Sequence, residues 1–177
     1  MFNLFKKKEG KVKVIDKIWM SQEAKWNGIV SLWKKNPGMV IISWFDSTLR
    51  QLELVFARET ISPASLFSAR AIHSSQIAGK NVIFAEHHPM RKKELEAFNQ
   101  WHLSEIIVHS ALDEPFFKHF GSDKIAEMMK QLGMKEDSMI EHSMISSAIQ
   151  NAQEKIEKKV VTEQSAPSQQ EWIERNL

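Results

Sequence analysis

Apolar positions recur along the first part of the chain with two different periods. Residues 11–15 alternate polar and apolar side chains, which predicts a strand with one buried face. From Ser21 to about Lys35 the apolar spacing becomes three and four residues, which predicts a helix with an apolar stripe. Residues 39–45 are continuously apolar apart from one serine, which is typical of a central parallel strand. This order predicts βαβ units.

The same alternation continues to about Leu112. Residues 82–85 and 105–108 are predicted strands, with an amphipathic helix between them, whereas residues 60–80 show a weaker pattern. Strands and helices that alternate at these intervals favour a parallel sheet covered by helices. We therefore expect a three-layer α/β domain with about four or five parallel strands.

The last part of the chain has no strand pattern. A helical segment is predicted up to about Val160, and the residues after it are rich in Gln, Ser and Glu, which predicts a loose tail. The expected parts are an N-terminal tail (1–9), the α/β domain (10–112), the helical segment (113–160) and a polar tail (161–177).

Composition narrows the possible functions. Lys and Arg (24) nearly balance Asp and Glu (22), which argues against a nucleic-acid binder with a strongly basic face. The absence of cysteine excludes disulfides, thiolate nucleophiles and cysteine-based zinc sites. No segment approaches the roughly 18 apolar residues that a membrane span needs. We expect a cytoplasmic protein.

Two short apolar groups are candidates for partner contact. Phe2, Leu4 and Phe5 stand beside three lysines, a combination that can rest on an anionic membrane. Trp172 and Ile173 form an apolar pair in the polar tail, which either docks on another protein or folds back onto its own domain.

Several motifs keep their order and spacing over about 45 residues. They are Leu112-Asp-Glu, Phe120-Gly-Ser-Asp-Lys-Ile125, Met128-Met129, Leu132-Gly-Met134, Ile140-Glu-His142 and Ala148-Ile-Gln-Asn-Ala-Gln-Glu-Lys-Ile-Glu157. This segment resembles the bacterial protein-export ATPase SecA, where its second nucleotide-binding domain leads into the helical scaffold. The resemblance implies a truncated, SecA-like protein with a RecA-like fold of the P-loop NTPase type.

Two upstream patches extend the resemblance. Asp16-Lys-Ile-Trp-Met-Ser21, followed by Lys25-Trp26, is similar to the beginning of that second domain. The second patch is similar to the strand that leads to the family's Glu-x-His and paired arginines, and it comprises residues 82–86 with His88, Arg91 and Lys92. The resemblance implies that Glu86, His88, Arg91 and Lys92 are a relic of the nucleotide-cleft face.

The departures from the family pattern concern the phosphate chemistry. No G-x-x-x-x-G-K-[ST] sequence is present, and Trp101-His-Leu-Ser-Glu105 stands where the family has a Gly- and Arg-rich motif. A Gly-Arg-Gly-Thr-Asp type motif is missing from residues 60–80. Without these groups the transition state of phosphoryl transfer lacks stabilisation. We therefore expect no catalytic residues, no autonomous ATP hydrolysis and no cofactor, and leave residual binding of ATP or ADP open. Because Trp101 stands where the arginine motif begins in the family, it is a candidate to fill the nucleotide cleft.

Two other patterns have competing explanations. Glu86-His87-His88 suggests a metal site, with His102 and His109 as further ligands. Adjacent side chains at a strand end point in opposite directions, so we expect a polar turn and no metal. Residues 91–93 are basic and either contact a phosphate or acidic partner or remain solvated.

The leading hypothesis is a non-catalytic protein-interaction module related to export, which binds a protein partner such as the translocation machinery and no nucleic acid. One alternative is half of an ATPase that works in trans with a separate first domain and uses Arg91. Another is a peripheral adaptor at the inner membrane, held by residues 1–8.

Overall fold

The computed structural model describes residues 12–177, which form a twisted sheet between layers of helices. Phe2, Leu4 and Phe5 lie outside the described residues. The strands are β1 (Lys13–Trp19), β2 (Val40–Ser43), β3 (Leu66–Ser68), β4 (Val82–Phe84), β5 (Glu105–Ala111) and β6 (Met139–Ile140). The helices are α1 (Gln22–Lys35), α2 (Asp46–Arg58), α3 (Ser74–Ile77), α4 (Arg91–Gln100), α5 (Pro115–His119), α6 (Ser122–Gln131), α7 (Ser143–Glu157) and α8 (Gln169–Asn176).

The sheet order is β3-β2-β4-β5-β1-β6, and the first five of these strands are parallel. The predicted parallel α/β sheet is therefore confirmed. Two short strands were not predicted: β3 pairs with β2, and the two-residue β6 pairs antiparallel with the end of β1. Both lie at edges, where strands of two or three residues leave little trace in the apolar pattern.

The central strands are buried on both faces because successive side chains alternate between the two helix layers. Ile41, Ile83 and Ile107 occupy neighbouring register positions and pack with α1 and α2. The next residue of each strand faces the opposite layer, where Phe98 and Trp101 of the α4 region join the core. Trp101 stacks on Phe84 with ring centroids 6.2 Å apart. It therefore packs on a face of the sheet.

The expectation of a loose polar tail at residues 161–177 is wrong. Ser168 accepts a hydrogen bond from the amide of Glu171 at 3.1 Å and so caps α8, and this helix packs against α5. Trp172 is only 1% exposed. The Ser-x-x-Glu spacing is a capping pattern that predicts a helix start at this position, although the polar composition hid it.

None of the helices in the part of the chain that the structure describes is long and apolar enough to span a membrane.

Candidate functional site

The carboxyl ends of the five parallel strands meet at one side of the sheet, which we call the carboxyl edge. Open α/β sheets bind their ligands at this edge. The loops after β4 and β5 place Glu86, His87, His88 and Glu114 there, and all four side chains are buried. The carboxyl edge is therefore the candidate site, and its chemistry depends on which of these groups have free hydrogen-bonding capacity.

Glu86 caps the beginning of α2. Its Oε1 accepts hydrogen bonds from the amides of Trp44 and Phe45, both at 3.0 Å, and its Oε2 accepts one from the Thr48 hydroxyl at 2.6 Å. The N-cap residue of α2 offers no side-chain cap of its own, so Glu86 supplies it from the loop after β4. Burial raises the pKa of Glu86 to about 7, against the opposing effect of Lys25. Both carboxylate oxygens are thus used inside the fold.

His87 lies between two buried carboxylates. Its Nε2 is 2.7 Å from Asp16 Oδ1, and its Nδ1 is 2.9 Å from Glu94 Oε1. Ionised Asp16 and Glu94 can only accept hydrogen bonds, so a ring that donates to both of them carries two protons and is assigned as an imidazolium. Burial by itself would lower the pKa of His87, but the charge of Glu94 and the hydrogen bond to Asp16 raise it to about 10. The same hydrogen bond lowers the pKa of Asp16 despite the opposing effect of burial.

His88 points away from His87 and into an aromatic group. Its ring stacks on Phe45 with centroids 5.8 Å apart and meets Trp172 edge to face at 5.5 Å. Its Nδ1 accepts a hydrogen bond from the Met90 amide at 3.0 Å, which places the proton on Nε2. The prediction that the adjacent histidines diverge is confirmed. Among the described residues, no three His, Cys, Asp or Glu side chains form a group that could hold a metal ion.

Two glutamines from the helical part hold the backbone between these histidines. Gln153 of α7 donates to the carbonyl oxygen of His88 at 2.8 Å and to Glu94 Oε2 at 2.9 Å. Gln169 of α8 donates to the carbonyl oxygen of His87 at 3.1 Å and accepts from the Phe116 amide at 2.7 Å. Neither glutamine could be predicted from the sequence, because glutamine in a polar helix carries no distinctive pattern.

A buried lysine joins the ends of β4 and β5. Lys25 is 1% exposed; its Nζ donates to the carbonyl oxygen of Ala85 at 2.6 Å and forms an ion pair with the carboxylate of Glu114. The ammonium also lies 4.0 Å from the ring centroid of Trp26. Burial raises the pKa of Glu114, and Lys25 opposes this effect. Lys25 therefore has a structural partner for its charge.

Residues 161–177, the C-terminal segment, lie across the carboxyl edge. The Pro167 carbonyl accepts a hydrogen bond from the amide of Ser47, in the first turn of α2, at 3.0 Å. Glu163 lies 3.3 Å from Nε2 of His88 and 2.8 Å from Nζ of Lys93. His88 donates the first of these contacts, and together they hold the pKa of Glu163 well below its usual range. The segment thus covers the residues that the edge would offer to a ligand.

The four predicted cleft residues do not form one group. Glu86 and His88 are buried at the carboxyl edge, whereas Arg91 is half-buried beside Asp16 and Lys92 is exposed. The Lys92 amide donates to the Glu157 carboxylate at 2.5 Å. The predicted partner-binding residue Trp172 is buried against its own domain, and Ile173 is partly buried in the same cluster. Of the two outcomes considered for this pair, the structure shows the one in which it folds back.

A separate apolar cleft lies beside α5. It has a volume of about 550 Å³ and lies between α5, α6, α7 and the β6 region. Phe120, Ile125 and Met144 are lining residues that remain 42%, 45% and 73% exposed. Most of this lining falls in residues 112–155, the segment whose motifs resemble the SecA scaffold.

The fold and the carboxyl edge define the class as a RecA-like α/β domain whose usual ligand edge is filled by its own residues. No family model matches the chain. The chain is similar to part of the protein translocase subunit SecA from several bacteria. It is 32% identical over 119 residues to that of Acidithiobacillus ferrooxidans, which covers 63% of this chain and 13% of the relative.

Two further relatives show the same similarity. The chain is 35% identical over 86 residues to SecA of Maridesulfovibrio salexigens, which covers 46% of this chain and 10% of the relative. It is 36% identical over 83 residues to SecA of Phocaeicola vulgatus, which covers 45% and 8%. The resemblance to SecA is thus confirmed for about half of the chain, which spans only about a tenth of the length of these relatives.

Proposed function

We propose that this chain is a non-catalytic protein-interaction module that acts in protein transport. The similarity to protein translocase subunits supports the link to transport. The observation that carries the non-catalytic part is the closed carboxyl edge. Glu86 uses its carboxylate as a helix cap, His87 is enclosed by two carboxylates, and the C-terminal segment lies across both.

The charged groups near the edge support the same proposal. Phosphoryl transfer needs cations and N–H groups directed at the phosphate. Lys25 is paired with Glu114, Lys93 is paired with Glu163, and the Ser47 amide donates to Pro167. Lys25 is buried with its ion-pair partner, and the Ser47 amide has already used its one N–H group, so neither is directed at a phosphate; Lys93 is partly exposed and held by Glu163.

A nucleotide titration tests this part of the proposal. We expect no heat of binding by calorimetry for ATP, ADP or a non-hydrolysable analogue up to about 1 mM, with phosphate release at the level of the buffer blank. A dissociation constant in the micromolar range together with measurable turnover would show that the module is catalytic.

The apolar cleft supports the interaction part. Its exposed rim lies in the SecA-like scaffold segment, so we propose that it contacts the translocation machinery from the cytoplasmic side of the inner membrane, with no cofactor. Met144→Glu places a charge on this rim, and Leu54→Glu is the matched control because Leu54 is also exposed, on α2. Binding to purified translocation components, measured by interferometry, should weaken at least tenfold for the first variant only. Equal effects of both variants would contradict this assignment.

A second candidate function is the completion of an ATPase in trans. Its support is the partial exposure of Arg91 at the start of α4, beside the carboxyl edge. The assay is hydrolysis by a separate first nucleotide-binding domain with and without this chain. Stimulation that Arg91→Ala abolishes and the exposed-site control Lys92→Ala retains would favour this candidate over the non-catalytic module.

A further inference from the structure

The C-terminal segment lies on the carboxyl edge as a bound peptide lies on a receptor. Its anchor is Trp172, which is 1% exposed although α8 has only eight residues. The indole meets His88 edge to face and donates its N–H to Glu163 at 2.9 Å. One large aromatic side chain in a closed pocket is the usual centre of a peptide interface.

Polar contacts orient the segment around this anchor. The carbonyl oxygens of Ala166 and Pro167 accept hydrogen bonds from the guanidinium of Arg70 at 3.1 Å and from the amide of Ser47. Gln169 bonds to the backbone of both the β4 loop and α5, as described above. These contacts reach four separate parts of the domain, so they fix the orientation of the segment as a receptor fixes a ligand.

The segment also makes contacts within itself. Arg175 donates to the carbonyl oxygen of Ser165 at 2.7 Å, and the Asn176 side chain exchanges hydrogen bonds with the Gln164 backbone at 2.8 and 2.9 Å. At the start of the segment, after α7, Val161 is 98% exposed and its neighbour Thr162 is exposed as well. The segment is thus joined to α7 by exposed residues and has internal hydrogen bonds in addition to those it makes with the domain.

We propose that the C-terminal segment is an intramolecular occupant of a peptide-docking face, and that a partner helix of the same chemistry takes its place. Such a helix carries a tryptophan anchor and a glutamine three residues before it, and the residues that precede the helix supply a carboxylate that reaches His88 and Lys93. The argument for this occupant is the segment itself, because its complementarity to the face is seen directly. The proposal rests on the proposed role in partner binding, and names the partner's chemistry.

The test uses the full chain and a fluorescent peptide of residues 161–177 as the probe. A tethered segment has an effective concentration of the order of millimolar, so micromolar free peptide cannot compete with it in the wild type. Trp172→Ala removes the anchor and vacates the face. Fluorescence anisotropy should show at least tenfold tighter binding of the peptide to this variant than to the wild type.

Two controls define the specificity of this binding. Gln170→Ala changes an exposed residue of α8 whose side chain bonds within the helix to Glu174, so this variant should behave as the wild type. A peptide that carries the Trp172→Ala change should bind the vacated face at least tenfold more weakly. Two results would overturn the proposal: equal affinity of the peptide for the wild type and for Trp172→Ala, or equal affinity of the vacated face for the peptides with and without the tryptophan.

Gln169→Ala keeps the proposal testable if Trp172→Ala does not fold, because it removes two hydrogen bonds and leaves the anchor in place. It should bind the peptide more tightly than wild type, and an unchanged affinity would count against a displaceable segment. In the wild type, hydrogen exchange at the Ser47 and Phe116 amides should be at least tenfold faster than at Val108 in central β5. Equal exchange rates at these three amides would show that the segment leaves the domain only when the whole domain unfolds.

Light scattering measures the molar mass in solution and so tests whether the C-terminal segment of a second copy occupies the face. A stable dimer that exchanges C-terminal segments would overturn the proposal of a different partner. A monomer at all concentrations supports it. Failure of the peptide test leaves the nucleotide titration unaffected, so the two proposals fail independently.

Discussion

Raising the pH above about 6.5 is expected to destabilise the protein through deprotonation of His87. In the folded chain this ring donates to Asp16 and Glu94, and its pKa is about 10 instead of the usual 6.5. A group whose pKa is raised on folding contributes stability that is fully present below about pH 6.5 and is lost as the pH rises towards about 10. Alkaline solution should therefore weaken the fold at this cluster.

The magnitude follows from the difference between the two pKa values. A pKa difference of about 3.5, at about 1.4 kcal/mol for each pKa unit, corresponds to about 5 kcal/mol of unfolding free energy. That is a large share of the roughly 5–15 kcal/mol that stabilises a typical domain. Most of this loss should occur between about pH 7 and about pH 9.5.

Urea unfolding followed by tryptophan fluorescence, at intervals over this pH range, measures the effect. His87→Gln removes the titrating group, so the variant should be less stable at pH 6 and show a much flatter pH profile. Asp16→Asn removes one carboxylate and should move the decline to lower pH. A wild-type stability that stays constant from about pH 6.5 to about 9.5, or an equal decline in His87→Gln, would refute an imidazolium at this position.

Three further perturbations test other parts of the fold by the same unfolding measurement. Gly28→Ala should cost about 1–3 kcal/mol, although alanine normally favours a helix, because the added Cβ would overlap the Trp19 indole; a gain in stability would contradict this packing. Lys25→Met should lower the free energy of unfolding by about 3–5 kcal/mol, because it leaves Glu114 buried and unpaired. The double variant with Glu114→Gln should recover part of this loss, and no recovery would argue against the ion pair. Burial raises the pKa of Glu86 to about 7, so its contribution to the stability of the fold should decline as the pH rises from about 4.5 to about 7 and the buried carboxyl group loses its proton. A decline that persists in Glu86→Gln would show that Glu86 is not the group responsible.

The α/β class could be predicted because it depends on local patterns. Ile41 and Ile42 face opposite helix layers, and a strand that is buried on both faces must be apolar throughout. The edge strand β3 escaped prediction because three residues beside Pro63 show too short a pattern to detect.

The candidate site could be predicted only in part. The sequence indicates that Glu86 and His88 follow a strand, yet their roles depend on partners that are distant in sequence. Glu86 caps a helix 41 residues earlier, and His87 meets Asp16 across 71 residues. Sequence spacing carries no information about such pairs, because the sheet order brings β1 and β4 to the same edge of the fold.

The sequence by itself determined the alternation of the longer strands and helices, the absence of a phosphate-binding glycine loop and the similarity to SecA, since these are properties of contiguous residues. Only the tertiary structure decided whether the carboxyl edge is open. The polar composition of residues 161–177 predicted a loose tail, but Trp172 gains its burial from His88 and from other residues far away in the chain. A segment is ordered by the surface available to it, and that surface exists only once the domain has folded.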